Sequence, residues 1–128
     1  MRGNVTPSSL FTMSVGEIIE SLSNTVLNDI PEGINGPNDI DNMEYLLGKL
    51  PNDYAYVISL LGNARSYVRQ LKRKGMKEQY EDMMDKRDAL SDIASAIKLK
   101  YQGLSRMVTT FEQRNNSTEM WEYRKKRQ

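Results

Sequence analysis

Residues 54–97 decide the fold. They read YAYVISLLGNARSYVRQLKRK (54–74), then Gly75, then MKEQYEDMMDKRDALSDIASAI (76–97). On both sides of Gly75 the apolar residues recur in alternating steps of three and four. This spacing places them on one stripe of an α-helix and is typical of helices that pack side by side. The stretch therefore predicts two helices joined by a short turn.

The turn is predicted at Gly75. Residues 72–74 are all cationic, which suits the negative end of a helix dipole, and glycine readily adopts the left-handed conformation that closes a helix. Folding the chain here pairs Leu61 with Leu90, and each stripe position then meets its antiparallel complement. The predicted seam consists of Ile40, Met43, Leu47, Leu50, Tyr54, Val57, Leu61, Ala64, Val68 and Leu71 in the first helix and Met76, Tyr80, Met83, Arg87, Leu90, Ala94, Ile97, Tyr101, Leu104, Val108 and Phe111 in the second.

A further helix is predicted near the N-terminus. Residues 1–13 lack a periodic apolar signal and are predicted to be a flexible arm. Ser14 and Glu17 fit a capping box that begins a helix over 14–30. The apolar face of this helix is formed by Val15, Ile18, Ile19, Leu22, Val26 and Ile30.

The helix over 14–30 needs a surface on which to bury that face. A second apolar stripe flanks the hairpin seam and is about as long as the helix over 14–30. We therefore expect this helix to pack on that stripe. Between the apolar residues of this stripe, Asp53 faces Lys100 as a predicted ion pair. The opposed apolar pairs of the stripe are Leu46 with Met107 and Leu60 with Ile93.

These elements predict an all-α fold, namely a long antiparallel, coiled-coil-like helical hairpin with an additional N-terminal helix packed on it as in a three-helix bundle. The helical domain spans 14–111, and its long helices cover 40–74 and 76–112. Pro51 removes one backbone donor and is predicted to kink the first of these helices without changing its register.

Residues 113–128 are predicted to be a basic and aromatic tail outside the folded core. The polar residues at 115–118 favour caps and turns, so the helix is expected to fray there. Trp121 and Tyr123 then stand in a cationic segment with no apolar neighbours. Aromatic residues in such a place suggest contact with a partner.

The composition argues against an enzyme. The chain has no His and no Cys, which removes the commonest general base and the usual zinc ligands, and it has no glycine-rich phosphate loop. No cofactor is predicted. A run of acidic residues could in principle bind a divalent metal ion. Basic side chains interrupt this run, however, and a solvated helix face is the favoured interpretation. The run consists of Glu78, Glu81, Asp82, Asp85 and Asp88, interleaved with Lys77, Lys86 and Arg87.

Polar residues at seam positions are interpreted first as structural. Arg87 lies opposite Ala64, which leaves room for the arginine stem to reach solvent or a carboxylate; reading a ligand between subunits is the alternative. Tyr54, Tyr80 and Tyr101 are expected to be core residues whose hydroxyls reach the rim.

Charge is divided unevenly along the chain. Residues 1–62 carry two Lys or Arg and eight Asp or Glu, whereas residues 63–128 carry sixteen and nine. Clustered cations bind phosphates, and aromatics stack on unpaired bases. The predicted binding residues are Arg65, Arg69, Lys72, Arg73, Lys74 and Lys77 at the hairpin tip and Trp121, Tyr123, Arg124, Lys125, Lys126 and Arg127 in the tail.

Two functions fit these observations. The first is a cytoplasmic, non-enzymatic protein that self-associates and engages a protein partner as an adaptor, inhibitor or assembly factor. The second is an accessory factor that binds single-stranded nucleic acid in replication or recombination. Ile58 and Met84 on the remaining flank of the hairpin favour a homo-oligomer, and no apolar run is long enough to span a membrane.

Overall fold

The structure, a computed structural model, describes residues 5–27 and 37–127, with side chains described over 5–25 and 39–114, and these residues are helical except at short turns. The two long helices pack closely as a hairpin and a shorter N-terminal helix packs on them, which confirms the predicted all-α fold. None of the described helices is long and apolar enough to span a membrane. The elements are α1 (Ser9–Thr12), α2 (Val15–Leu22) continued by a π-helical turn (Ser23–Leu27), α3 (Pro37–Arg73) and α4 (Lys77–Arg127).

The turn between α3 and α4 lies where the sequence predicts it. Gly75 adopts a positive φ of 70°. The Met76 amide donates to the Leu71 carbonyl at 3.1 Å, and the Gly75 amide donates to the Lys72 carbonyl at 3.1 Å. This pair of bonds is the Schellman arrangement that satisfies the last carbonyls of a helix.

The core lies along the predicted seam. Met76 and Tyr101 are exceptions, because both are exposed: Met76 stands at the tip, and the Tyr101 ring lies at the edge of a groove beside Pro51. Tyr54 and Tyr80 are partly buried against the core. The seam residues that are buried are Met43, Leu50, Val57, Leu61, Ala64, Val68, Leu71, Met83, Leu90, Ala94, Ile97, Leu104 and Val108.

Helix α2 begins with the predicted capping box. The Ser14 hydroxyl accepts from the Glu17 amide at 3.1 Å, and the Glu17 carboxylate accepts from the Ser14 amide at 3.1 Å. These bonds lower the pKa of Glu17, with the backbone bond the larger cause. Two bonds at one helix start therefore fix where α2 begins.

The path of α2 differs in part from the predicted helix over 14–30. Ile18 and Leu22 are buried, but Ile19 is exposed because α2 packs chiefly on α4 and presents a narrow apolar face to it. Regular α-helical bonding gives way to the π-helical turn at Ser23. Residues 28–36, which hold the end of the predicted helix and most of the predicted loop, lie outside the described residues.

The predicted flexible arm is corrected for residues 5–13. Val5 and Leu10 are both buried in the core, and Leu10 belongs to α1. Isolated apolar residues in a polar stretch give no helical period, so the sequence pattern did not show their burial. Residues 5–27 therefore form one packed unit, hereafter the N-terminal segment.

The two long helices extend beyond their predicted ends. Helix α3 begins at Pro37 and contains Pro51 within it, while the predicted kink at Pro51 stays a prediction. Helix α4 continues to Arg127 instead of ending near residue 112. Polar residues lower helix propensity by only tenths of a kcal/mol each, and extending an existing helix is far easier than nucleating one. The predicted fraying at 115–118 is therefore absent from the described backbone.

Candidate functional site

The hairpin has two flanks, one on each side of the seam. Residues that precede seam positions form the covered flank, on which the N-terminal segment packs; residues that follow seam positions form the open flank. The covered flank comprises Leu46, Asp53, Leu60, Tyr67, Lys86 and Ile93. The open flank comprises Pro51, Ile58, Arg65, Met84, Ser91 and Lys98.

Lys86 on the covered flank is buried, with 3% of its surface exposed. Its ammonium donates to the Leu10 carbonyl at 2.7 Å and lies 2.6 Å from the Asp82 carboxylate. The solvated acidic face predicted for this part of α4 is therefore wrong at Lys86. The signal was its position, seven residues before Ile93 on the stripe predicted to receive another helix.

Asp53 on the covered flank is also buried, and its partner differs from the prediction. Its carboxylate lies 3.0 Å from the Lys49 ammonium, which also donates to the Thr25 carbonyl at 3.2 Å. The predicted partner, Lys100, is exposed. Residues four apart on one helix are already neighbours, so Lys49 reaches Asp53 without crossing the seam.

Aromatic side chains complete the attachment of the N-terminal segment. The Tyr56 hydroxyl donates to the Val5 carbonyl. The rings of Phe11 and Tyr67 meet at a centroid distance of 4.5 Å and an angle of 51°. Like the Lys49 and Lys86 hydrogen bonds, these contacts attach the N-terminal segment to the hairpin. The side chains that form them therefore have a structural role.

The open flank contains an arginine groove with a cavity volume of about 370 Å³. The Arg87 guanidinium donates to one Asp88 carboxylate oxygen through two nitrogens, at 3.0 and 3.1 Å. This contact agrees with the expectation that Arg87 reaches out of the seam to a carboxylate. The groove is lined by Leu61, Arg65, Val68, Arg69, Arg87, Asp88 and Ser91.

The arginine groove is electropositive. Three guanidinium groups line it, and Asp88 is the one carboxylate among the lining residues. Asp88 pairs with Arg87, and among the described residues no carboxylate forms a salt bridge with Arg65 or Arg69. A guanidinium presents planar donors that match the oxygens of a phosphate or carboxylate. The groove is therefore suited to bind an anion.

The predicted basic tip continues from the arginine groove. Lys72 lies one helical turn beyond Arg69, and both side chains are exposed. Lys72 therefore extends the surface formed by Arg65, Arg69 and Arg87 toward the hairpin tip. The other residues of the predicted tip, Arg73, Lys74 and Lys77, are exposed as well. The predicted tail side chains, Trp121, Tyr123, Arg124, Lys125, Lys126 and Arg127, lie outside the described side chains.

A second cavity on the open flank, the tyrosine groove, has a volume of about 410 Å³. It opens beside Pro51 in α3, and sequence reasoning did not identify it, because Tyr54 and Tyr101 were assigned to the core. Pro51 was the available signal in the sequence, because its ring is shorter than the side chains usual beside a helical seam and so leaves space for a groove. The groove is lined by Leu50, Pro51, Tyr54, Ile97, Lys98 and Tyr101.

Two carboxylates of the acidic run of α4 form salt bridges. Asp82 pairs with Lys86, and Asp88 pairs with Arg87. Over the part of the chain that the structure describes, no group of three His, Cys, Asp or Glu is arranged to hold a metal ion. The candidate site is therefore the cationic open flank.

Comparisons with protein-family models, with curated proteins and with solved structures found no match for this chain.

Proposed function

We propose that the protein is a non-enzymatic binding protein whose open flank binds single-stranded nucleic acid. The observation that carries the proposal is the arginine groove, where Arg65, Arg69 and Arg87 line one cavity and a single paired carboxylate offsets them. Clustered cations gain affinity for a phosphate backbone because binding releases condensed counterions. The exposed side chain of Lys72, one helical turn beyond Arg69, extends this surface toward the hairpin tip.

The shape of the groove favours a single strand. It lies between two neighbouring helices and has a volume of about 370 Å³, which suits one sugar–phosphate backbone. Contacts to phosphate do not depend on base identity, so we expect little sequence preference from this groove. The proposed role is that of an accessory protein that holds a strand.

The test is a titration with a single-stranded oligonucleotide over a salt series. Each phosphate contact on a single strand contributes about 0.7 to the slope of log affinity against log salt. Replacing Arg65 and Arg69 with Ala should reduce that slope by roughly 1.4 and weaken binding at every salt concentration. Lys100→Ala, which removes an exposed cation from outside the groove, should leave the slope unchanged. Equal slopes for the double variant and the wild-type protein would overturn the proposal.

A protein partner is the second candidate, and Ile58 favours it. Ile58 lies on the open flank and is 38% exposed, so it offers an apolar contact near the cations of the arginine groove. A second copy of this chain has a suitable charge, because residues 1–62 carry an excess of acidic groups. Light scattering at micromolar concentration should then give a mass above 14.7 kDa that falls in Ile58→Glu. One subunit's mass for the wild-type protein would contradict self-association.

A further inference from the structure

We infer that the tyrosine groove is a nucleobase-binding site, in which a base stacks on Tyr101 and Tyr54 while Lys98 contacts the adjoining phosphate. The inference rests on the proposed function, since it assumes that a strand lies on the open flank. It adds a second kind of contact, because the arginine groove meets phosphates and the tyrosine groove meets a base.

The shape and lining of the groove suit a flat aromatic ligand. Its walls are apolar side chains, Leu50, Pro51 and Ile97, and it presents the two tyrosine rings. Tyr101 occupies a seam position but is 38% exposed, and it lines this cavity. Nucleobases stack on such aromatic side chains whatever their identity.

The charge of the groove suits a nucleotide. Lys98 is exposed and is the one charged side chain among the lining residues. A base is joined to a phosphodiester, so an apolar cavity with one cation at its edge complements both parts of a nucleotide. An uncharged apolar side chain from a protein would leave Lys98 without a role in binding.

The position of the groove places it on the path of the same strand. Lys98 follows Ile97 as Ser91 follows Leu90, so the tyrosine and arginine grooves lie on one flank. Tyr54 and Arg65 are eleven residues apart in α3, which is roughly 16 Å at 1.5 Å per residue. A short oligonucleotide spans both grooves, and only an unpaired strand offers its bases to the tyrosine groove.

The experiment compares an oligothymidylate with an abasic strand of equal length and charge. Tyr101→Ala should weaken binding of the oligothymidylate about 5-fold to 150-fold, the range for loss of one stacked base, and leave binding of the abasic strand unchanged. Tyr101→Phe keeps the ring and should bind as the wild-type protein does. The matched control is Tyr45→Ala, because Tyr45 is 67% exposed and lines neither groove.

Lys98→Ala is the second variant and should weaken binding of both strands, because its contact is to phosphate. Unchanged affinity of Tyr101→Ala for oligothymidylate, with wild-type binding intact, would overturn the base site and leave the proposed function standing. An equal loss for both strands in Tyr101→Ala would also overturn it. Failure of the wild-type protein to bind either strand would instead overturn the proposed function. A Tyr101→Ala effect on subunit mass alone would assign the groove to a second copy and reject the base site.

Discussion

Lys86 on the covered flank and Lys49 beside it donate to carbonyls of the N-terminal segment, whereas Arg65 on the open flank and Arg69 beside it are exposed to solvent. Both sets of cations lie next to seam positions of the same hairpin. The difference lies in what packs against them. A cation that meets a carbonyl and a carboxylate is part of the fold, while an exposed cluster of guanidinium groups remains able to bind a ligand.

The contacts with the N-terminal segment and the arginine groove use different cations, lysine in the first and arginine in the second. Lysine has a flexible stem and a compact charge that reaches a single carbonyl, as Lys86 does with Leu10. Arginine presents a fixed fork of donors that suits a multivalent anion. The arginine groove accordingly contains three arginines and no lysine.

The largest expected effect is a difference in stability between matched substitutions on the two flanks. Leu60→Ala removes a side chain that is buried against the N-terminal segment and core, and should lower the free energy of unfolding by about 2–5 kcal/mol. Ile58→Ala is the matched change on the open flank and should cost about 1 kcal/mol or less, because Ile58 is partly solvated already. Urea denaturation measures both. Equal losses would contradict the assignment of covered and open flanks.

The next effect tests the buried cation. Lys86→Ala leaves the Leu10 carbonyl without its donor and should cost about 1–3 kcal/mol. Cleavage by a protease within residues 5–13 should also become faster, because Lys86 holds that stretch to α4. Lys98→Ala on the open flank should change neither quantity. Undiminished protection of the N-terminal segment in Lys86→Ala would show that this contact does not hold it.

Sequence reasoning predicted the parts of the fold that repeat or are local. The heptad spacing gave the hairpin, Gly75 gave the turn, and Ser14 with Glu17 gave the start of α2. Each of these depends on residues that are close in the chain or spaced by the helical period. Such signals can be recognised without knowing how distant parts of the chain pack.

The features that sequence reasoning missed depend on contacts between distant residues. Burial of Val5 and Leu10 follows from a docking surface more than forty residues away in the chain. The tyrosine groove depends on how Pro51 and Tyr101 lie across the seam, which no spacing encodes. The arginines of the site were predicted individually, but their shared cavity with Arg87 emerged only from the packing of α3 on α4.

A smaller effect concerns the start of α2 in the N-terminal segment. Ser14→Ala should cost about 0.5–2 kcal/mol, since it removes one half of the capping box. The lowered pKa of Glu17 implies stability that is present above its unfolded pKa and is lost as pH falls through its folded pKa. Glu17→Gln should therefore flatten the dependence of stability on pH in the acid range over which the Glu17 carboxyl titrates. A variant with the wild-type pH profile would contradict the contribution of this bond.

The smallest expected effect on stability comes from removing residues 115–128. Helix α4 is longer than α3 by fourteen residues, and the excess lies at the end away from the turn. Truncation should change the melting temperature little, because α3 does not extend alongside that end. Strand or partner binding should fall, because the predicted tail cations are lost. A large loss of thermal stability would show that the tail belongs to the core.

Photo-crosslinking to a single-stranded oligonucleotide that carries photoreactive thymine analogues tests the central claim most directly. Bases held on the open flank should crosslink to the Tyr54 or Tyr101 side chain itself, identified by fragmentation of the crosslinked peptide, because Tyr54 and Tyr56 lie in one tryptic peptide. The account predicts these products in the full-length protein, with their loss in the variant that lacks Arg65 and Arg69. Crosslinks confined to the N-terminal segment and to Tyr56 or Tyr67 would place the strand on the covered flank and contradict the account.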